Sequence, residues 1–149
     1  MNLMHCNGDG PPEGGHYARK RILIVDDDET VLQTFAKALS LEGYDVCTAS
    51  SPLVGLEEAQ HTPPDAILLD LRMPFVNGFG FLYRLRAQDA HRHTPVAIIT
   101  GDSCIDDPAL DELHDLEAEV LFKPIWLEEV LTVTRNLLAR RTFPVSRPS

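Results

Sequence analysis

RILIVDDD, residues 21–28, decides the fold. Four aliphatic residues, three of them β-branched, run directly into an acid cluster. A continuous apolar run of this length reads as a strand buried on both faces, as in a parallel sheet. Three similar runs follow: AILL (66–69) before Asp70, VAII (96–99) before Thr100, and VLF (120–122) before Lys123. An acid pair, a lone acid, a hydroxyl and an ammonium are together enough to hold a divalent cation and handle a phosphoryl group. In an open parallel sheet the carboxyl ends of the strands converge on one crevice, so these endings describe a site.

Between the runs the period changes from 2 to 3.6. Val31, Leu32, Phe35, Ala38 and Leu39 share one helical face, with Gly43 as the stop. Residues 44–49 alternate like a half-exposed strand. Ser51-Pro52 opens a short helix carrying Leu53, Leu56 and Ala59, which Pro63-Pro64 ends. Asn77-Gly78 turns into a helix with Phe79, Leu82 and Leu85, and a weaker helix is expected near 108–116. Leu127, Val130, Leu131, Thr134 and Leu138 repeat at helical spacing in a last helix over 126–140. Five strands alternating with five helices predict an α/β domain with a doubly wound parallel sheet. The natural order at this size is the flavodoxin-like (βα)5 order 2-1-3-4-5. Strands 1 and 3 then flank the switch point where a ligand sits, and they are the two that carry the carboxylates.

The organisation is a body with two tails. Residues 1–19, rich in Gly and Pro, read as a disordered leader, the domain spans 20–141, and 142–149 reads as a C-terminal tail. The 149 residues allow one sizeable core. The formal net charge is −10, and of the 23 acids only Asp9 and Glu13 lie outside the body. That balance argues against direct nucleic-acid binding, which needs a basic footprint. No stretch approaches the ~20 apolar residues of a membrane span, and no signal-peptide core is present. Cys6, Cys47 and Cys104 have neither metal nor redox spacing, so reduced thiols in the cytoplasm are the expectation.

The chemistry follows from the residue types. Asp26, Asp27 and Asp70 repel one another unless a cation lies among them. Oxygen ligands with few direct carboxylates suit Mg²⁺, which completes its shell with water and phosphate oxygens. Asp70, at the tip of the central strand, is a competent phosphoryl acceptor. Thr100 can donate a hydrogen bond to one phosphoryl oxygen, and the Lys123 ammonium can pair with another. Taken alone, Asp28 is a helix cap, Thr100 a strand-end hydroxyl and Lys123 an edge charge; four roles at four strand ends make coincidence improbable. Arg72, close behind Asp70, is by default an exposed loop arginine. His91 and His93 lack a third metal ligand nearby.

ILIVDDDE, AILLDLRMPFVNG, VAIITG and VLFKPI together resemble the signature segments of receiver domains of two-component response regulators, including the chemotaxis regulators. The resemblance covers about residues 20–141. It implies transfer of a phosphoryl group from a histidine kinase or phosphotransfer protein onto Asp70, with self-dephosphorylation afterwards: a switch rather than a turnover enzyme. It implies Mg²⁺ bound by Asp27, Asp70 and the backbone carbonyl of Arg72, with Asp26 reaching the ion through water. Thr100 and Lys123 would hold phosphoryl oxygens, and the Lys123–Pro124 bond would be cis. Downstream partners would dock on the fourth helix, fifth strand and fifth helix, and a homodimer is compatible with such a domain. One position departs from the pattern. These domains usually carry Tyr or Phe three residues before the lysine, and here that residue is Val120.

Two other readings compete. Asp26-x-Asp28-x-Thr30 resembles the nucleophile motif of haloacid-dehalogenase-like phosphohydrolases. However, Glu29 replaces the usual glycine, Asp106-Asp107 precedes rather than follows Lys123, and Asp70 would have no role. A degenerate receiver that only binds partners is the second alternative.

Overall fold

Strand propensity and burial coincide along the runs at 22–25, 66–69 and 96–99, whereas the fourth, at 120–122, is only partly buried. The structure, a computed structural model, describes residues 4–6, 19–71, 78–101 and 105–142. The elements in chain order are β1 (Met4–Cys6), β2 (Arg21–Val25), α1 (Glu29–Leu41), β3 (Asp45–Ala49), α2 (Pro52–His61) and β4 (Ala66–Leu69). They continue with α3 (Gly78–Arg86), a 3-10 turn at Asp89–His91, β5 (Val96–Thr100), α4 (Asp107–Asp115), β6 (Ala118–Phe122) and α5 (Leu127–Thr142). The sheet order is β1-β3-β2-β4-β5-β6. Its five parallel strands, β2 to β6, thus stand in the expected order 2-1-3-4-5.

The sixth strand was not foreseen. Met4–Cys6 pairs antiparallel with β3, matching Met4 to Ala49, His5 to Thr48 and Cys6 to Cys47. A wholly disordered leader is therefore the wrong reading for these three residues. A three-residue strand is too short to show periodicity, and what orders it is the hydrogen-bonding edge that β3 presents. The expectation of three reduced thiols fails as well, because Cys47 is disulfide-bonded.

The alternation of each strand divides the core into two layers. Leu23, Val25, Ile67, Leu69, Val96 and Ile98 face α2, α3 and α4, packing with Leu56, Phe81, Leu82, Leu85 and Leu113. Ile22, Ile24, Val46, Leu68, Ala97 and Ile99 face α1 and α5, packing with Leu32, Phe35, Leu39, Val130 and Leu137. Both faces are covered, which is why these strands read as unbroken apolar runs. Leu53 and Leu127 depart from the expected helical stripes and are exposed, each lying in the first turn of its helix.

Helix termini follow local chemistry. Asp28 caps α1, its Oδ1 accepting from the amides of Thr30 and Val31. Ser51 caps α2 through Val54, and Asp106 caps α4 through Ala109. At the opposite end of the sheet from the acids, Arg86 donates to four backbone carbonyls, of His91, Thr94, Leu116 and Glu117. It ties the end of α3 to the turns entering β5 and β6, and burial lowers its pKa. The two histidines separate in role. His91 is buried and bonds Thr94 Oγ1 and the Ala59 carbonyl, whereas exposed His93 meets Glu117. Neither joins a metal cluster among the described residues.

Gly78 closes the loop that follows Asp70. Its amide donates to the Leu71 carbonyl at 2.8 Å. A Cβ at this position would stand 2.9 Å from the Leu71 Cα, a backbone atom that cannot step aside as a side chain could. Gly78→Ala is expected to cost about 1–3 kcal/mol of stability by overpacking. Chemical denaturation measures it, and an unchanged midpoint would refute the close approach.

Candidate phosphoryl site

The backbone carries the ladder past the ends of the strands and so places the acids. The Asp26 amide donates to the Ala49 carbonyl at 3.1 Å, and the Asp70 amide to the Val25 carbonyl at 2.9 Å. The Lys123 amide donates to the Thr100 carbonyl at 2.8 Å. β2 and β4 are hydrogen-bonded neighbours, so Asp26, Asp27 and Asp70 converge. Each offers a carboxylate oxygen within 4.8 Å of the others, with Asp26 and Asp70 buried and Asp27 exposed. Thr100 is fully buried at the end of β5. Lys123 Nζ lies 3.8 Å from Asp26 Oδ2, and the Lys123–Pro124 bond is cis. Asp26, Asp27, Asp70 and Lys123 thus come together at the switch point, and Thr100 ends β5, the strand beside β4. Arg72, whose carbonyl completes the expected ligand set, lies outside the described residues.

Electrostatics mark Asp26. Its carboxyl is pushed up to about 6, first by burial and then by the charge of Asp70, with Asp27 adding a smaller push. The Asp28 amide, 2.9 Å from Asp26 Oδ1, and the Lys123 ammonium act in the opposite direction. A trio of oxygen donors, two of them desolvated and mutually repelling, fits a small hard dication. Among the described residues, a Cβ on Gly101 would meet only Lys123 Cδ, at 3.9 Å.

These features carry the family assignment. Residues 22–135 match the response regulator receiver domain. The chain belongs to that family. The receiver is 38% identical over 124 residues to the transcriptional regulatory protein PrrA of Mycobacterium leprae, covering 81% of the chain and 51% of the relative. It is 35% identical over 130 residues to the response regulator MprA of a Mycobacterium species, covering 86% of the chain and 54% of that protein. It thus spans about half the length of these relatives. Among solved structures, chemotaxis protein CheY4 of Vibrio cholerae superposes with a TM-score of 0.75 at 30% identity, over 81% of this chain and all of CheY4. The protein is a phosphoacceptor receiver domain of two-component signalling. The phosphohydrolase reading finds no support.

Val120, at the position usually aromatic, is half-buried against the layer shared with α3 and α4. Phe122, two residues along β6, is exposed. One contact was not foreseen: the Tyr83 hydroxyl of α3 donates to Glu112 Oε2 of α4. This bond raises the tyrosine's pKa. Both residues lie on the solvent sides of their helices, where helical periodicity signals exposure rather than pairing.

The raised carboxyl sets a pH dependence. The ordinary value is 3.8 and the folded value about 6. The folded state therefore binds the Asp26 proton more tightly than the unfolded state, and this group's contribution to stability falls as pH rises from about 4 through about 6. In metal-free buffer, Asp26→Asn should gain in melting temperature relative to the parent across that window. Parallel melting curves at all pH values would remove the assignment.

Proposed function

We propose that Asp70 is the phosphoacceptor and that the surrounding residues act as a phosphotransfer and release site for a phosphohistidine donor. An Asp70 carboxylate oxygen attacks phosphorus while the bond to the donor's imidazole nitrogen breaks. That nitrogen leaves with the electron pair, and an acyl phosphate forms on Asp70. Lys123 turns from Asp26 to one phosphoryl oxygen, and Thr100 donates its hydroxyl to another. Asp26, Asp27 and Asp70 would hold Mg²⁺, with the backbone carbonyl of Arg72 as the further ligand the family resemblance implies, and the ion would neutralise charge on the transferring group. The observation that carries this reading is the convergence of three carboxylates within 4.8 Å beside Lys123 at the carboxyl ends of β2 and β4.

The donor is a histidine kinase or a histidine phosphotransfer protein, consistent with relatives named as response and transcriptional regulators. The downstream partner docks on the face of α4, β6 and α5, where Phe122 is 47% and Trp126 76% exposed. Trp126 stands immediately before α5, its backbone amide donating to Glu129 Oε1 at 3.0 Å. No helix among the described residues is long and apolar enough to cross a membrane, and cytoplasmic action fits the family. The acidic body makes nucleic acid an unsuitable direct partner for this domain.

Incubation with acetyl phosphate and Mg²⁺ should add one phosphoryl group by intact mass, and Asp70→Asn should abolish the gain. No labelling of the parent would replace this reading with that of a binding-only receiver, and equal labelling of Asp70→Asn would move the acceptor to another residue. Mg²⁺ alone should raise the melting temperature by relieving carboxylate repulsion. Asp27→Asn should lose both that rise and most of the phosphorylation rate, and retention of both would place the ion elsewhere.

A further inference from the structure

Cys47 lies in the middle of β3, 1% exposed, and is disulfide-bonded. The chain offers two partners, Cys6 and Cys104. The antiparallel register sets Cys6 of β1 directly opposite Cys47. Residues so paired share a sheet face, with Cβ atoms ~4.5–5.5 Å apart. A disulfide needs Cα atoms about 4.4–6.8 Å apart, and opposite residues of an antiparallel pair meet that requirement.

Cys104 lies outside the described residues, so the register of β1 on β3 carries the choice of partner.

We propose that Cys6 and Cys47 form a redox modification site whose co-reactant is a low-molecular-weight disulfide, and that the bond straps β1 onto the edge of the sheet. The Cys6 thiolate attacks the small disulfide, forming a mixed disulfide and releasing one small thiol. The Cys47 thiolate then attacks the Cys6 sulfur and releases the second. Two protein thiols are oxidised and one small disulfide is reduced to two thiols. Arg21 favours the second step. Its Nη1 lies 4.0 Å from Cys47 Sγ, and a guanidinium beside a thiol promotes the thiolate. Arg21 is itself fixed by an ion pair with Asp45 at 3.1 Å and by its amide bond to Asp65. The bond closes a long loop and holds a three-residue strand that has few other ladder bonds to secure it. Reduction releases β1 and opens the edge of β3, a backbone row that can then template another strand.

The test uses the full chain, reduced and then treated with oxidised glutathione. An intramolecular disulfide lowers the intact mass by about 2 Da relative to the reduced form, and peptide mapping should place it between residues 6 and 47. Cys104→Ser should retain it, and Cys6→Ser, which leaves the buried Cys47 in place, should abolish it. Oxidation should slow amide exchange at residues 45–49 and raise the melting temperature by roughly 5–10 °C. A bond to Cys104, glutathione adducts without an internal bond, or an internal bond that leaves exchange at 45–49 unchanged would each overturn the proposal.

Discussion

Mutual repulsion of three carboxylates held together by a backbone ladder is the constraint on which the rest depends. Asp26, Asp27 and Asp70 stay within 4.8 Å because the amides of Asp26 and Asp70 are committed to the carbonyls of Ala49 and Val25. The strands cannot separate to relieve the charge without losing ladder bonds and exposing the two apolar layers beneath. What remains is protonation, pairing with Lys123, or a cation, and burial, with the charge of Asp70 added, pushes the carboxyl of Asp26 up to about 6.

The same rigidity directs where change can occur. Arg86, bonded to four carbonyls, locks the end of the sheet away from the acids. In a receiver with an aromatic residue three before the lysine, a ring can follow the threonine. Val120 has no ring to turn, and its place against α3 and α4 is ordinary packing. The Tyr83–Glu112 bond joins these two helices on the outside, and Arg86 adds a second tie through the carbonyl of Leu116 at the end of α4. In this receiver, α3 and α4 are thus coupled by a surface hydrogen bond beside an aliphatic core.

The disulfide at Cys47 bears on where the protein works. Stable disulfides are rare in reducing compartments, where those present are usually transient or sensing. The bond sits on β3, the strand whose Ala49 both pairs with Met4 of β1 and accepts from the Asp26 amide, so the strapped edge borders the acid site.

Fold and site were legible in the sequence to different depths, for physical reasons. Burial on both faces forces unbroken apolar runs, so the strands 22–25, 66–69 and 96–99 could be read directly, and short right-handed crossovers left one natural order. Reactive residues at strand ends needed only that order to be brought together, which is why Asp26, Asp27, Asp70, Thr100 and Lys123 could be named in advance. Pairings that join residues distant in sequence on exposed or edge positions leave no such period. β1 is three residues long, Tyr83 and Glu112 are 29 positions apart, and the four carbonyls around Arg86 carry no side-chain identity at all. The sequence by itself determined the strand order and which polar residues end the strands, because unbroken apolar runs mark the buried strands and where they stop. Only the tertiary structure decided the added edge strand, the partner facing Cys47 and the tie between α3 and α4, because backbone register and surface geometry exist only once the chain has closed on itself.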